Sequence, residues 1–415
     1  MKRNVIVGQS GGPTAAINSS LAGVYRTAKD RGAKKVYGML HGIQGLLQER
    51  YIDLSEHITN ELDAELLKRT PAAYLGSCRY KLPEIHEDMG VYEKIFEILN
   101  KLDIEAFIYI GGNDSMDTIK KLSDYAIITG QTVRFIGCPK TIDNDLALTD
   151  HTPGYGSAAK YIGTSVKEII CDSFCLEYNK GLVTIIEIMG RNAGWLTGAA
   201  ALAKGEDSTG PDLIYLPELA FDLEKFITKI RKLLEKKSSV VVAVSEGIRI
   251  PDGKYVCELG NSVDFVDAFG HKQLSGTAAY LANFVAGEIG CKTRAIELST
   301  LQRSASHSAS RIDILEAFQV GGAAVKAADE GDTGKMVVLE RISDDPYQST
   351  TAVKDVHKIA NDEKLVPRDW VTKDGTYVTD EFVTYVKPLI QGDVSPVMVD
   401  GIPRHLYKPG FQEKL

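Results

Sequence analysis

Three times before residue 160 the chain passes from a short apolar, β-branched stretch into a polar loop and then into a helix-like pattern. The apolar stretches are residues 4–7, 106–110 and 132–138. The loops after them are Gly8-Gln9-Ser10-Gly11-Gly12, Gly111-Gly112-Asn113-Asp114-Ser115 and the segment 139–145 (PKTIDND). A strand that repeatedly feeds a helix builds a parallel sheet with helices on both faces. The sequence therefore predicts a doubly wound α/β fold, whose ligands gather at the carboxyl ends of the strands.

The third loop carries the most chemistry. Lys140, Asp143 and Asp145 follow a buried strand, and a segment punctuated by Pro and Gly (149–156) separates them from a helix beginning near Ser157. A lysine offsets phosphate charge, one carboxylate can take a hydroxyl proton, and another can help hold a metal, which suits phosphoryl transfer. Read only as local structure, the same residues make a polar turn, with Asp143 or Asp145 capping the next helix. The first loop joins a strand to a helix predicted over residues 15–31, an arrangement that presents backbone amides to an anion. It is not a Walker A loop, because no Gly-Lys-Ser/Thr closes it, and GxGxxG fails in register. The second loop doubles as a tight turn in which Asp114 or Ser115 caps a helix. Arg79, in LGSCRY, is an arginine on a small-residue loop; taken singly it reads first as a solvated surface residue and only second as a phosphate contact.

Beyond residue 157 a second α/β region is predicted, with strands at 182–188, 212–215, 240–244 and 293–298. The first leads into Met189-Gly190-Arg191, the third into Ser245-Glu246-Gly247, and the fourth into a stretch holding Thr300 and Arg303. One acid and three arginines (Arg191, Arg294, Arg303) are thus available for a phosphorylated sugar. A helix at 312–330 and a strand at 335–339 follow. The tail, broken by Pro346, Pro367, Pro388, Pro396 and Pro403, has no pattern that places it.

With 415 residues the chain exceeds the usual size of one domain. Its formal charge of −8 argues against nucleic acid or an acidic membrane as partner. The six cysteines include no CxxC, so buried free thiols are expected rather than a zinc site. The apolar run at the N-terminus is too short for a signal peptide, and no stretch has the length of a membrane span. A soluble, cytoplasmic protein is expected.

The ordered set SGG, LGSCRY, GGNDS, PKTIDND, MGRNAGW, SEG and TLQR resembles the phosphofructokinase family over about residues 1–340. Asp114 and Lys140 stand where ATP-using members have glycine, which resembles the pyrophosphate-dependent branch. A carboxylate at 114 would fill and repel the space of a nucleotide α-phosphate. The resemblance implies two Rossmann-like three-layer α/β/α domains with the active site in the cleft between them. Residues 1–153 plus about 304–345 would bind pyrophosphate and Mg²⁺, and 154–303 the sugar phosphate. Residues 346–415 would be an extension.

The implied reaction is reversible phosphoryl transfer from pyrophosphate to the 1-hydroxyl of fructose 6-phosphate. Asp143 would be the base, with Lys140, Arg79 and Asp114 as its catalytic companions. Gly11, Gly12, Gly112 and Ser115 would hold pyrophosphate. Thr141, Ile142, Met189, Gly190, Arg191, Glu246, Arg294, Thr300 and Arg303 would line the sugar side. Asn113 and Asp145 would serve magnesium. A homodimer or homotetramer is implied. Three residues depart from the pattern: Asn113 replaces an aspartate, Thr300 a His or Tyr, and Lys180 lies where many relatives have an arginine lent to a neighbour. The competing readings are an ATP-dependent enzyme and a catalytically idle sugar-phosphate-binding subunit.

Overall fold

The computed structural model describes residues 1–176, 178–260, 274–360 and 362–409. Strand β1 (Asn4–Gln9) enters helix α1 (Ile17–Asp30), and β2 (Val36–Met39) returns parallel to β1. A short α2 (Gly42–Leu46) leads to β3 (Tyr51–Asp53), antiparallel on the outer edge. Helices α3 (Glu61–Arg69) and α4 (Met89–Lys101) precede β4 (Ile104–Gly111), which lies on the other side of β1. Helix α5 (Asn113–Thr129) then connects to β5 (Arg134–Pro139).

Helix α6 (Tyr155–Phe174) carries the chain to a second sheet, beginning with β6 (Leu182–Ile188). After α7 (Trp195–Gly198) comes a small hairpin, β7 (Lys204–Gly205) and β8 (Ser208–Thr209). Strand β9 (Leu213–Tyr215), helix α8 (Leu223–Leu234), β10 (Ser239–Ser245), helix α9 (Thr277–Ile289) and β11 (Lys292–Glu297) complete this unit. The order β11-β6-β10-β9 is parallel throughout. The chain then returns through α10 (Leu301–Ser304) and α11 (Arg311–Glu330) to the first sheet. There β12 (Lys335–Asp344) pairs with β5, and β13 (Tyr347–Asp355) pairs antiparallel with β12, giving seven strands in the order β13-β12-β5-β4-β1-β2-β3.

Local chemistry explains the elements. The inner strands β1, β4, β5, β6 and β10 are almost entirely buried, so they read as continuous apolar runs rather than alternating ones. Helix α8 buries Phe226, Ile227 and Ile230 and turns its lysines outward; Asp222 caps it by accepting from the N–H groups of Glu224 and Lys225. Ser310 caps α11 through the N–H of Asp313. Helices α1 and α11 touch along glycines: a Cβ on Gly23 would lie 2.0 Å from the Phe318 carbonyl oxygen, and one on Gly321 2.0 Å from that of Ser20.

The tail is where the structure adds most. Strand β13 extends the first sheet, whereas helix α12 (Asp380–Val386) packs on the second unit, with the buried Phe382 ring 5.9 Å from Trp195. Residues beyond 346 thus fasten both units, and only a small hairpin, β14 (Met398–Val399) with β15 (Ile402–Pro403), stands apart. The last six residues, 410–415, lie outside the described part of the chain. Among the described residues no helix is long and apolar enough to cross a membrane.

Candidate active site

A cavity of about 420 Å³ opens at the carboxyl ends of β1, β4 and β5 on one side and of β6 and β10 on the other. Each of those strands ends in a loop that lines it, so both units contribute walls.

The first wall is laced together by its own backbone. Gly11 adopts φ +75°, and a Cβ there would come within 3.3 Å of the Lys140 Nζ. Its N–H donates to the Cys78 carbonyl at 3.3 Å, and its own carbonyl accepts from the Ser77 hydroxyl at 2.6 Å. The amide that sequence reasoning offered to pyrophosphate at Gly11 is therefore already engaged. The Gly12 amide has no partner among the described residues, while its carbonyl accepts from Lys140 Nζ at 2.7 Å. Gly112 precedes α5, and Asn113, Asp114 and Ser115 form its first turn beside the cavity. Asn113 Oδ1 is buried and lacks a hydrogen-bond partner. Arg79, exposed on its loop, also lines the cavity.

Lys140 is 2 % exposed. Burial brings its ammonium down to about 8, a fall that Asp143 and Asp145 resist and Arg303 and Arg79 reinforce. Burial raises Asp143, although Lys140 and Arg191 favour its charged form. Asp143 closes a small turn in which its N–H donates to the Thr141 hydroxyl at 3.1 Å. Asp145 is pushed up to about 7 by burial and then by Asp143 and Glu363. Between them Asn144 takes φ +54°; its amide donates to the Tyr385 hydroxyl at 2.9 Å, and its Oδ1 accepts from the N–H of Thr152 at 3.0 Å. Asn tolerates the left-handed region better than most residues, and here its side chain is bonded on both ends.

The second wall is built around Gly190, at φ +129°, where a Cβ would lie 2.6 Å from the Ala193 carbonyl oxygen. Its N–H lies 3.4 Å from Glu246 Oε1, and its carbonyl accepts from the Ser245 hydroxyl. The N–H of Met189 donates to Gln302 Oε1 at 3.1 Å. Glu246 is pushed up to about 8 by burial, with Asp143 adding to the rise. Arg303 reaches across to the first wall, its Nη1 3.4 Å from where a Gly12 Cβ would be.

Lys140, Thr141, Ile142, Asp143, Asp145, Met189, Gly190, Arg191, Glu246 and Arg303 all line this one cavity. Arg294 and Thr300 do not. Arg294 lies on β11, ion-paired with Asp172 at 2.7 Å, and Thr300 is exposed at the start of α10. Sequence reasoning missed Ser10, Pro13, Asn192, Ala193 and Glu363 as lining residues. The first four are flanking residues of recognised loops; Glu363 belongs to the unplaced tail and had no local signal.

The arrangement sets a buried lysine and a helix start on one side of a pair of carboxylates, and polar side chains suited to hydroxyls on the other. It can hold an anion, accept a proton and position an alcohol. A profile of the phosphofructokinase family matches residues 4–328. The chain is 43% identical over 405 residues to the pyrophosphate–fructose 6-phosphate 1-phosphotransferase of Xanthomonas campestris pv. campestris (strain B100), covering 97% of this chain and 95% of that one. It is 40% identical to the enzyme of that name from Halomonas elongata, with the same coverage. The crystal structure of a pyrophosphate-dependent phosphofructokinase from Nitrosospira multiformis superposes with a TM-score of 0.87 at 36% identity, covering 97% of this chain and 95% of that one.

Proposed function

This chain belongs to the phosphofructokinase family, and from that membership we propose that it transfers a phosphoryl group reversibly from pyrophosphate to the 1-hydroxyl of fructose 6-phosphate. The products are fructose 1,6-bisphosphate and phosphate. The observation that carries this reading is Lys140, buried between the glycine loop and Asp143 and bonded to the Gly12 carbonyl at 2.7 Å. A buried ammonium there meets a compact, highly charged donor without needing a nucleoside.

Asp143 accepts the proton of the 1-hydroxyl as its oxygen bonds to the incoming phosphorus, and the bridging bond of pyrophosphate breaks to release phosphate. Burial makes Asp143 a stronger proton acceptor than an exposed aspartate, and Lys140 keeps it ionised. Lys140 and Arg79 meet the charge carried by the transferring group, and the Gly12 amide and the start of α5 bind pyrophosphate oxygens. The Asp114 carboxylate would repel a nucleotide α-phosphate by like charge. Arg191, Glu246, Met189, Gly190 and Arg303 receive the sugar phosphate, with the forked guanidinium of Arg303 suited to a phosphate.

Magnesium fits the donors present. Asn113 Oδ1, buried without a protein partner, and the Asp145 carboxylate are hard oxygens, and phosphate oxygens and water would supply the rest. When bound, the ion neutralises pyrophosphate charge. Among the described residues no group of three His, Cys, Asp or Glu side chains gathers as a metal site. We retain a homo-oligomer, acting in the cytoplasm. Its support is the family membership alone.

The test supplies purified protein with fructose 6-phosphate and Mg²⁺, adding pyrophosphate or ATP in parallel. Bisphosphate formed with pyrophosphate alone is expected. Turnover with ATP alone would overturn the donor assignment.

A further inference from the structure

Residues 362–366 of the tail cross the cleft between the two walls. On one side the N–H of Lys364 donates to the Asp145 carbonyl at 2.7 Å, and Lys364 Nζ donates to the carbonyls of Asp150 at 2.7 Å and Thr149 at 3.2 Å. Glu363 also bridges to Leu146 in antiparallel fashion. On the other side Trp195 Nε1 donates to the Lys364 carbonyl at 2.8 Å, and the N–H of Val366 to Glu218 Oε1 at 3.0 Å. The strap is thus tied to the catalytic loop and to the second wall at once. Between these ties Glu363 lines the cavity.

One oxygen of Glu363 is fixed by Asn192, whose amide donates to Oε1 at 3.1 Å. The residue is exposed, and among the described residues its carboxylate has no cationic partner. An unpaired carboxylate repels phosphate and attracts hydroxyl donors, so its complement is the polyol part of a sugar. Its neighbours agree: Asn192 follows Arg191 in the loop that begins with Met189 and Gly190.

We propose that Glu363 is a sugar-binding residue of this active site, accepting a hydroxyl of the ketose through the carboxylate oxygen that Asn192 leaves free. The tail is then the third wall of the site, and recognition of the acceptor depends on a segment far in sequence from every other sugar-side residue. The inference rests on the proposed phosphotransferase activity.

Glu363→Gln is the informative variant, because the amide keeps a carbonyl oxygen for Asn192 while the other position becomes a donor. A hydrogen bond to a charged group corresponds to about a tenfold or larger change in binding. The expected result is a KM for fructose 6-phosphate raised about tenfold, an unchanged KM for pyrophosphate and an unchanged melting temperature. Glu363→Asp is expected to recover part of the loss. An unchanged KM for fructose 6-phosphate, or an equal rise for both substrates, would overturn the assignment. If the unmodified protein shows no turnover with pyrophosphate, the proposed activity fails. Calorimetric binding of fructose 6-phosphate to both proteins then still decides the role of Glu363: weaker binding by the variant supports it and equal binding overturns it.

Discussion

Lys140 Nζ donates to the carbonyl of Gly12 at 2.7 Å, tying the loop after β5 to the loop after β1 across the width of β4. The cation is therefore placed by backbone before any anion arrives. Replacing it with methionine keeps much of the bulk and removes the charge. Lys140→Met is expected to lower kcat at least a hundredfold, as loss of a preorganised charge-stabilising donor does, with a melting temperature within a few degrees of the parent. Steady-state kinetics and a thermal melt check both.

The same lysine is expected to set a basic limit on activity. Its ammonium titrates near 8, and only the protonated form offsets phosphate charge. The kcat/KM for pyrophosphate, which reports the free enzyme, should fall as pH rises through about 8. In kcat the limb should lie higher, because bound phosphate favours the charged lysine. A pH–rate profile with no basic limb below pH 10 would remove Lys140 from this role.

Asp143→Asn preserves shape and removes the proton acceptor. General base contributions are about 10²–10⁴-fold, and that loss is expected in kcat. Equilibrium binding of fructose 6-phosphate should change little. A variant that keeps a tenth of the parent rate would sink the assignment of Asp143 as base.

His151 is wholly buried between two acids, its Nδ1 2.7 Å from Asp150 and its Nε2 2.7 Å from Glu316. Burial alone would lower its pKa, but Glu316 and Asp150 overcome it and push it up to about 9. A histidine raised on folding contributes stability that is full below about 6.5 and lost as pH rises through about 9, on the order of a few kcal/mol. Both acids lie below their usual range and stay ionised across that window. Denaturant midpoints of the parent should therefore decline from pH 6.5 to 9.5 more steeply than those of His151→Gln. Parallel declines would contradict the buried imidazolium.

Glycine substitutions distinguish packing from backbone freedom. Gly23→Ala drives a methyl against the Phe318 carbonyl oxygen in the α1–α11 contact and should cost about 1–3 kcal/mol. Gly287→Ala, in open space within α9, should be neutral or stabilising by up to about 1 kcal/mol. Urea unfolding of the two variants measures the contrast.

The parts of the fold legible in the sequence are those whose signal is local. Residues 182–188 read as a strand and are one, because an inner parallel strand must be apolar on both faces. The strand expected at 335–339 continues to Asp344, because pairing with β13 runs its whole length while its outer half, beyond the apolar run, is largely exposed or half-buried. Strand β13 itself went unrecognised: none of its residues is fully buried, and its sequence shows neither an apolar run nor clean alternation. In the site, Lys140, Asp143 and Asp145 were legible from one loop. Arg294 and Thr300 were expected beside Arg303 from the family resemblance. Arg294 lies in the edge strand β11 and Thr300 is exposed at the start of α10, and neither reaches the cavity. Glu363 and Lys364 reach Asp145 only through tertiary folding, which no short window encodes.

The second sheet is an insertion. Its strands run uninterrupted from β6 to β11, whereas the first sheet needs β12 and β13 from beyond it. During synthesis, therefore, all the strands of the second unit are made while β5 is still an uncovered edge, the kind of edge that invites mispairing. The loop bearing Lys140 and Asp143 leaves the ribosome early, yet the strand that covers β5 and the Lys364 amide that bonds the Asp145 carbonyl both come from much later in the chain.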